Sequence, residues 1–143
     1  MQFEKVHTVG TFHDRVRSGT ADFGGAPHYF SSPFDYAADD YADYFILYPA
    51  SALFMERELR RSVIFEAWEK KEHHLGFARL EPHPKLGGNT EYRELDRWLD
   101  DQIALLNPIQ TRQLATFREV AGQDNMPLGM SRELEVSRHP ISA

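Results

Sequence analysis

The hairpin marked by Gly24-Gly25 carries the first residues able to do chemistry. Asp22 precedes the turn and His28 follows it, a carboxylate and an imidazole of the kind used in general acid–base catalysis. Two adjacent glycines supply the positive φ angles of a tight two-residue turn. Strands over residues 20–23 and 27–30 then set Phe23 opposite Ala26, Asp22 opposite Pro27 and His28 opposite Ala21. On that register His28 lies diagonal to Asp22 but on the other face of the sheet, because side chains alternate. A working dyad would need a bulge, and no residue pattern here marks one. Arg17 and Asp14 are near in the chain and would complete a polar cluster. A turn whose polar groups satisfy the backbone is the plainer reading.

Glu56 and Arg60 form a second constellation, one helical turn apart within an apolar arc. Charges in such an arc must be paired, at an interface, or lining a cavity, since an isolated buried charge is costly. The plain reading is an internal ion pair. The functional one is a cavity walled by aromatic strands, with Glu56, Arg60 and Glu66 as its polar floor. Arg17, Asp22, His28, Glu56 and Arg60 are thus the ligand-binding candidates.

Seven histidines in a chain without cysteine invite a test for metal ligation. His73 and His74 are adjacent, so on a helix they point about 100° apart and cannot grip one ion from the same face. Glu69 and His73 are a turn apart and His83 follows, but the helical zinc pattern of two histidines at four-residue spacing is absent. Histidine near a helix C-terminus is favoured by the macrodipole alone, so no metal is expected. Asp35, Asp39, Asp40 and Asp43 lack the spacing of a calcium loop and read as a solvated acidic face that would attract cationic partners. No nucleophile elbow, phosphate-cradling loop or dinucleotide fingerprint is present, and no cofactor is expected.

These residues need elements to position them. Residues 6–12 alternate loosely and are rich in valine and threonine, which predicts a strand before the hairpin. Residues 34–43 suit a helical turn or loop, and residues 44–48, Tyr-Phe-Ile-Leu-Tyr, suit a central strand closed by Pro49. Ser51 is placed to cap a helix over residues 52–75 that Gly76 would stop. Its core stripe reads as Ala52, Met55, Leu59, Val63 and Ala67, broadened by Ile64, Trp68 and Leu75. Phe54 and Phe65 then fall on the far side and need a cover, either a second helix or a symmetry-related subunit. They are the interface candidates.

Asn89 or Thr90 caps a second helix whose apolar positions Tyr92, Leu95, Leu99, Ile103 and Leu106 keep helical spacing up to Asn107-Pro108. Residues 109–121 admit helix or strand. Read as strand, residues 114–120 pair with 133–137 across a loop over residues 123–131. Strands, then helices, then strands predict an α+β fold, an antiparallel sheet of about five strands with two main helices packed on one face. No linker divides residues 1–143, so one domain is expected.

Composition narrows the function. With 143 residues, 41% hydrophobic and 13% aromatic, the chain can build a core without staples. A net charge of -6 disfavours nucleic acid as a partner. No apolar stretch nears the ~18 residues of a membrane span, and the residues after Met1 lack the pattern of a secretory signal. Together with the missing cysteines this leads to the expectation of a cytoplasmic protein. The run from Arg17 to Phe30 names no family whose activity could be transferred. The expectation is therefore a non-catalytic interaction or ligand-binding module, homodimeric, with a protein as its other candidate partner. The competing expectation is a small hydrolase or isomerase using Asp22, His28 and Glu56 as acid and base, and a third is an antitoxin-like partner of a basic enzyme.

Overall fold

Gly24 and Gly25 take φ angles of 60° and 80°, and the turn they make joins two strands in the expected register. Asp22 pairs with Pro27, Phe23 with Ala26 and Ala21 with His28. The computed structural model describes residues 3–13, 15–74, 83–106, 112–120 and 134–140, without the side chains of residues 11–13, 72–74 and 139. Asp14, Leu75, Gly76, Asn107, Pro108 and residues 123–131 lie outside the described residues, as do the side chains of His73 and His74.

The elements follow in the order β1 (Glu4–His13), β2 (Arg15–Phe23), β3 (Ala26–Ser31), β4 (Phe34–Asp35), β5 (Asp40–Tyr41), β6 (Ile46–Pro49), α1 (Ala52–His74), α2 (Thr90–Leu105), β7 (Gln113–Glu119) and β8 (Leu134–Pro140). Six strands form one antiparallel sheet in the order β6-β3-β2-β1-β8-β7, so the fold is α+β. β4 and β5 form a separate two-stranded ribbon where a helical turn or loop was expected. The apolar run read as a central strand instead lies at one edge as β6. Residues 113–119 are a strand, paired with β8 along its length.

The sheet curls until its edges meet. Phe45, just before β6, exchanges two backbone hydrogen bonds with Gln113 of β7, at 2.7 and 2.9 Å. Phe30 of β3, Phe45 and Phe117 of β7 pack together with ring centroids 5.5 to 5.7 Å apart. Rings from opposite edges of a sheet can touch only inside its curl, so this is the concave face. Val6, Val16, Ala21, Leu47 and Val136 fill the rest of it. Gly19 is required here, because a Cβ would run into the Thr8 carbonyl and the Phe30 ring.

The convex face carries the helices. Ser51 caps α1, its Oγ accepting from the Phe54 N–H at 3.1 Å, and Asn89 caps α2 by accepting from the Tyr92 N–H at 2.9 Å. A second core of Phe54, Met55 and Leu99 forms between the helices, with Tyr29, Ala50, Trp98, Ile103 and Leu106 packed against it.

α1 is turned the opposite way from the periodicity reading. Phe54, expected on the outer side, is only 2% exposed, whereas Leu59 and Val63, expected in the core stripe, are 41% and 54% exposed. Apolar residues lie all around this helix, so spacing alone does not choose the inward side. The choice is made by Leu99 and Trp98 of α2 and by the polar groups described next.

Candidate functional site

A β-bulge builds the first polar cluster. Val6 pairs with Ala21 and Thr8 with Thr20, so β1 holds one residue more than β2 at this point, and that residue is His7. His7 and Thr8 consequently both reach the convex face. His7 Nε2 lies 2.8 Å from Asp22 Oδ1, and Thr8 Oγ1 lies 2.7 Å from Thr20 Oγ1. The hairpin itself holds no bulge, so His28 stays on the other face from Asp22, and the bulge in β1 brings His7 to Asp22 instead. His28 is buried, its Nδ1 2.8 Å from the Ala26 carbonyl and its ring edge-on to Phe23.

Glu4 and Arg138 tie this end of the sheet together. The Gly25 N–H donates to Glu4 Oε1 at 2.9 Å, and Arg138 Nη2 donates to Glu4 Oε2 at 2.8 Å and to the Asp22 carbonyl. Burial pulls the Arg138 pKa below its ordinary value, and Glu4 opposes that pull. A cation two residues from Val136, on the same face of the strand, was the one available signal for Arg138. β8 is too far along the chain from the hairpin for spacing to link them.

The second cluster lies under α1 and was missed by sequence reasoning. Thr8 donates to Glu58 Oε1 at 3.2 Å, Arg61 Nη2 to Glu58 Oε2 at 2.8 Å, and Arg61 Nη1 to Asp96 Oδ1 at 2.7 Å. A continuous polar ladder thus runs from Thr20 in the sheet through α1 to α2. Burial pulls the Arg61 guanidinium down, but Glu58 and Asp96 together hold its pKa above the usual value. Burial raises the Tyr29 phenol, countered by Ser31 and then pushed further by Glu58. The Tyr92 phenol is also raised by burial, against the pull of Arg61.

The remaining sequence candidates scatter. Arg17 is buried near the start of β2, 4.0 Å from Asp40 and over the Tyr41 ring, ~17 Å along the strand from Asp22. Glu56 and Arg60 are exposed rather than inside the apolar arc, because the arc that faces inward is the other one. Arg60 pairs with Glu91 of α2, through Nε at 3.0 Å and Nη2 at 2.8 Å. The proposed polar floor of Glu56, Arg60 and Glu66 therefore does not form beneath the helix. Phe54, for which either a second helix or a partner subunit was expected as cover, is covered by the second helix, through Leu99 and Trp98, and so is closed to a partner. Phe65 is half-buried against Trp68 and His83, at 5.7 and 5.5 Å between centroids.

His83 sits among Phe65, Trp68 and Tyr92, and its Nδ1 accepts from the Lys85 N–H at 3.0 Å. Burial and then Lys85 lower its pKa, with Asp96 opposing. An accepting Nδ1 is the neutral ring, in keeping with that direction. Among the described residues no three histidine or carboxylate side chains converge as a metal site would require. No described helix is long and apolar enough to cross a membrane.

The outer face of α1 is the third feature. Leu53, Leu59 and Val63 are 46%, 41% and 54% exposed, with the small residues Ala52 and Ala67 on the same side. Glu56, Arg60 and Lys70 are interspersed among them. No family model, curated protein or solved structure matches this chain, and its functional reading rests on its own residues.

Proposed function

We propose that this chain is a non-catalytic interaction module that works as a homodimer, one copy docking on another through the outer face of α1. The observation that carries this reading is the pair Leu59 and Val63, one turn apart and left in water on a helix of 23 residues. Aliphatic groups aligned on one helix face mark interaction surfaces, whereas single exposed apolar residues need no explanation. The polar ladder supports a structural role for Glu58, Arg61 and Asp96, because these charges pair with one another within the chain. The net charge of -6 argues against nucleic acid as the partner, and the cysteine-free composition fits the cytoplasm.

Sedimentation equilibrium over a micromolar range tests the reading. Mass should rise with concentration towards two chains, and Leu59→Glu should hold it at one. A single chain at every concentration overturns the homodimer.

A second reading rests on the 2.8 Å contact of His7 with Asp22, the geometry of an oriented imidazole base. In that reading the chain is a small hydrolase or isomerase with His7 as its acid–base group, in place of His28. A screen of ester, phosphate and ketone substrates tests it. Turnover abolished by His7→Ala supports it, and turnover indifferent to that change removes it.

A further inference from the structure

The exposed charges of α1 can complement themselves. Around Val63, Glu56 lies as far towards the N-terminus as Lys70 lies towards the C-terminus, and Arg60 stands in the same relation to Glu66 and Leu59 to Ala67. At ~100° per residue all six fall within about 60° of the direction in which Val63 points, so they share one face. Five of them, Glu56, Leu59, Arg60, Ala67 and Lys70, are exposed and Glu66 is half-buried.

We infer that two copies meet with their α1 helices antiparallel, on a two-fold axis that passes by Val63; this rests on the docking reading above. A two-fold interface is self-complementary, each contact occurring twice. Val63 then meets its own copy and Leu59 packs against the partner's Ala67. Glu56 and the partner's Lys70, each within about 20° of the Val63 direction, face one another beside the seam.

Competing arrangements carry repulsion. An axis moved to lie between Leu59 and Val63 brings Glu56 onto Glu66, and a parallel pairing sets every charge against its own copy. Like charges placed opposite one another discriminate between registers. The aliphatic pair accordingly supplies attraction, and the charge order supplies the register.

The absence of native cysteine makes the geometry directly readable. Helix axes ~8–10 Å apart, each with Cα atoms at a radius of ~2.3 Å, bring facing Cα atoms to roughly 4–5 Å, within disulfide reach. Val63→Cys in the full chain should crosslink to a dimer on mild oxidation, whereas Leu53→Cys should not. In sedimentation, Glu56→Lys or Lys70→Glu alone should weaken the dimer about tenfold, and the two combined should return it to within about threefold of the parent. A dimer that forms without Val63→Cys crosslinking and without charge-swap rescue overturns the register while leaving the docking reading intact. A parent chain that stays monomeric overturns both. Circular dichroism of each variant confirms that the fold persists, which the exposure of these positions favours.

Discussion

The concave interior of the sheet and the layer between its convex face and the helices are both closed to water, yet they are built from opposite chemistries. The interior is hydrocarbon, with Phe30, Phe45 and Phe117 in mutual contact and Val6, Val16, Leu47 and Val136 around them. The layer is threaded by hydroxyls and charges, from Thr20 and Thr8 through Glu58 and Arg61 to Asp96. Hydrocarbon packs in many orientations at similar cost, whereas a buried charge accepts only the orientation that pairs it. The interior accordingly supplies stability and the curl, and the ladder specifies the rotation of α1. With Glu58 turned onto Thr8, Leu59 and Val63 have nowhere to point but outward.

Breaking each region should therefore have a different signature. Phe30→Ala removes a fully buried ring at the centre of the interior and is expected to cost about 3–5 kcal/mol in chemical denaturation, the largest effect considered. Glu58→Ala strands Arg61 with only Asp96 for a partner and is expected to cost about 3 kcal/mol. Replacing Glu58 and Arg61 together with leucine should recover most of that loss. The same double variant should also loosen the choice of inward face, seen as broadened methyl resonances of Leu59 and Val63.

Acid should weaken the layer more than the interior. Folding lowers the His83 pKa, so the unfolded chain takes up the proton more readily and stability rises with pH across this window. The stabilisation is complete above the ordinary imidazole value of ~6.5 and is lost as pH falls through the folded value below it. A His83→Gln chain should show a flatter dependence of its melting midpoint between pH 7 and pH 5, and His83 should titrate below the ordinary imidazole value in NMR. At the small end, Arg60→Ala removes an ion pair exposed on both sides and should leave the midpoint unmoved within error.

Much of the framework was legible because single residues dictated it. Gly24-Gly25 specified the hairpin and with it the register of β2 on β3. Ser51 and Asn89 announced both helices through the side-chain oxygens that now cap them. Residues 109–121 admitted helix or strand, and pairing with β8 decides for strand over 113–119. The site was far less legible, for three reasons. A bulge at His7 leaves no mark in composition, and it alone turns His7 onto the face of Asp22. Glu56 and Glu58 are alike in sequence and about 200° apart on the helix, and with apolar residues on every side periodicity had no means to say which turned inward. Arg138 reaches Glu4 from the far end of the chain, a contact created by the antiparallel pairing of β8 with β1, which local spacing does not announce.

The sharpest test sets the two sides of α1 against each other in one experiment, sedimentation velocity on Phe54→Glu and Val63→Glu beside the parent chain. Phe54→Glu should be unfolded or aggregated, and Val63→Glu folded and monomeric beside a dimeric parent. A Val63→Glu chain that unfolds, or a parent that sediments as a monomer at every concentration, would contradict that assignment of the two sides.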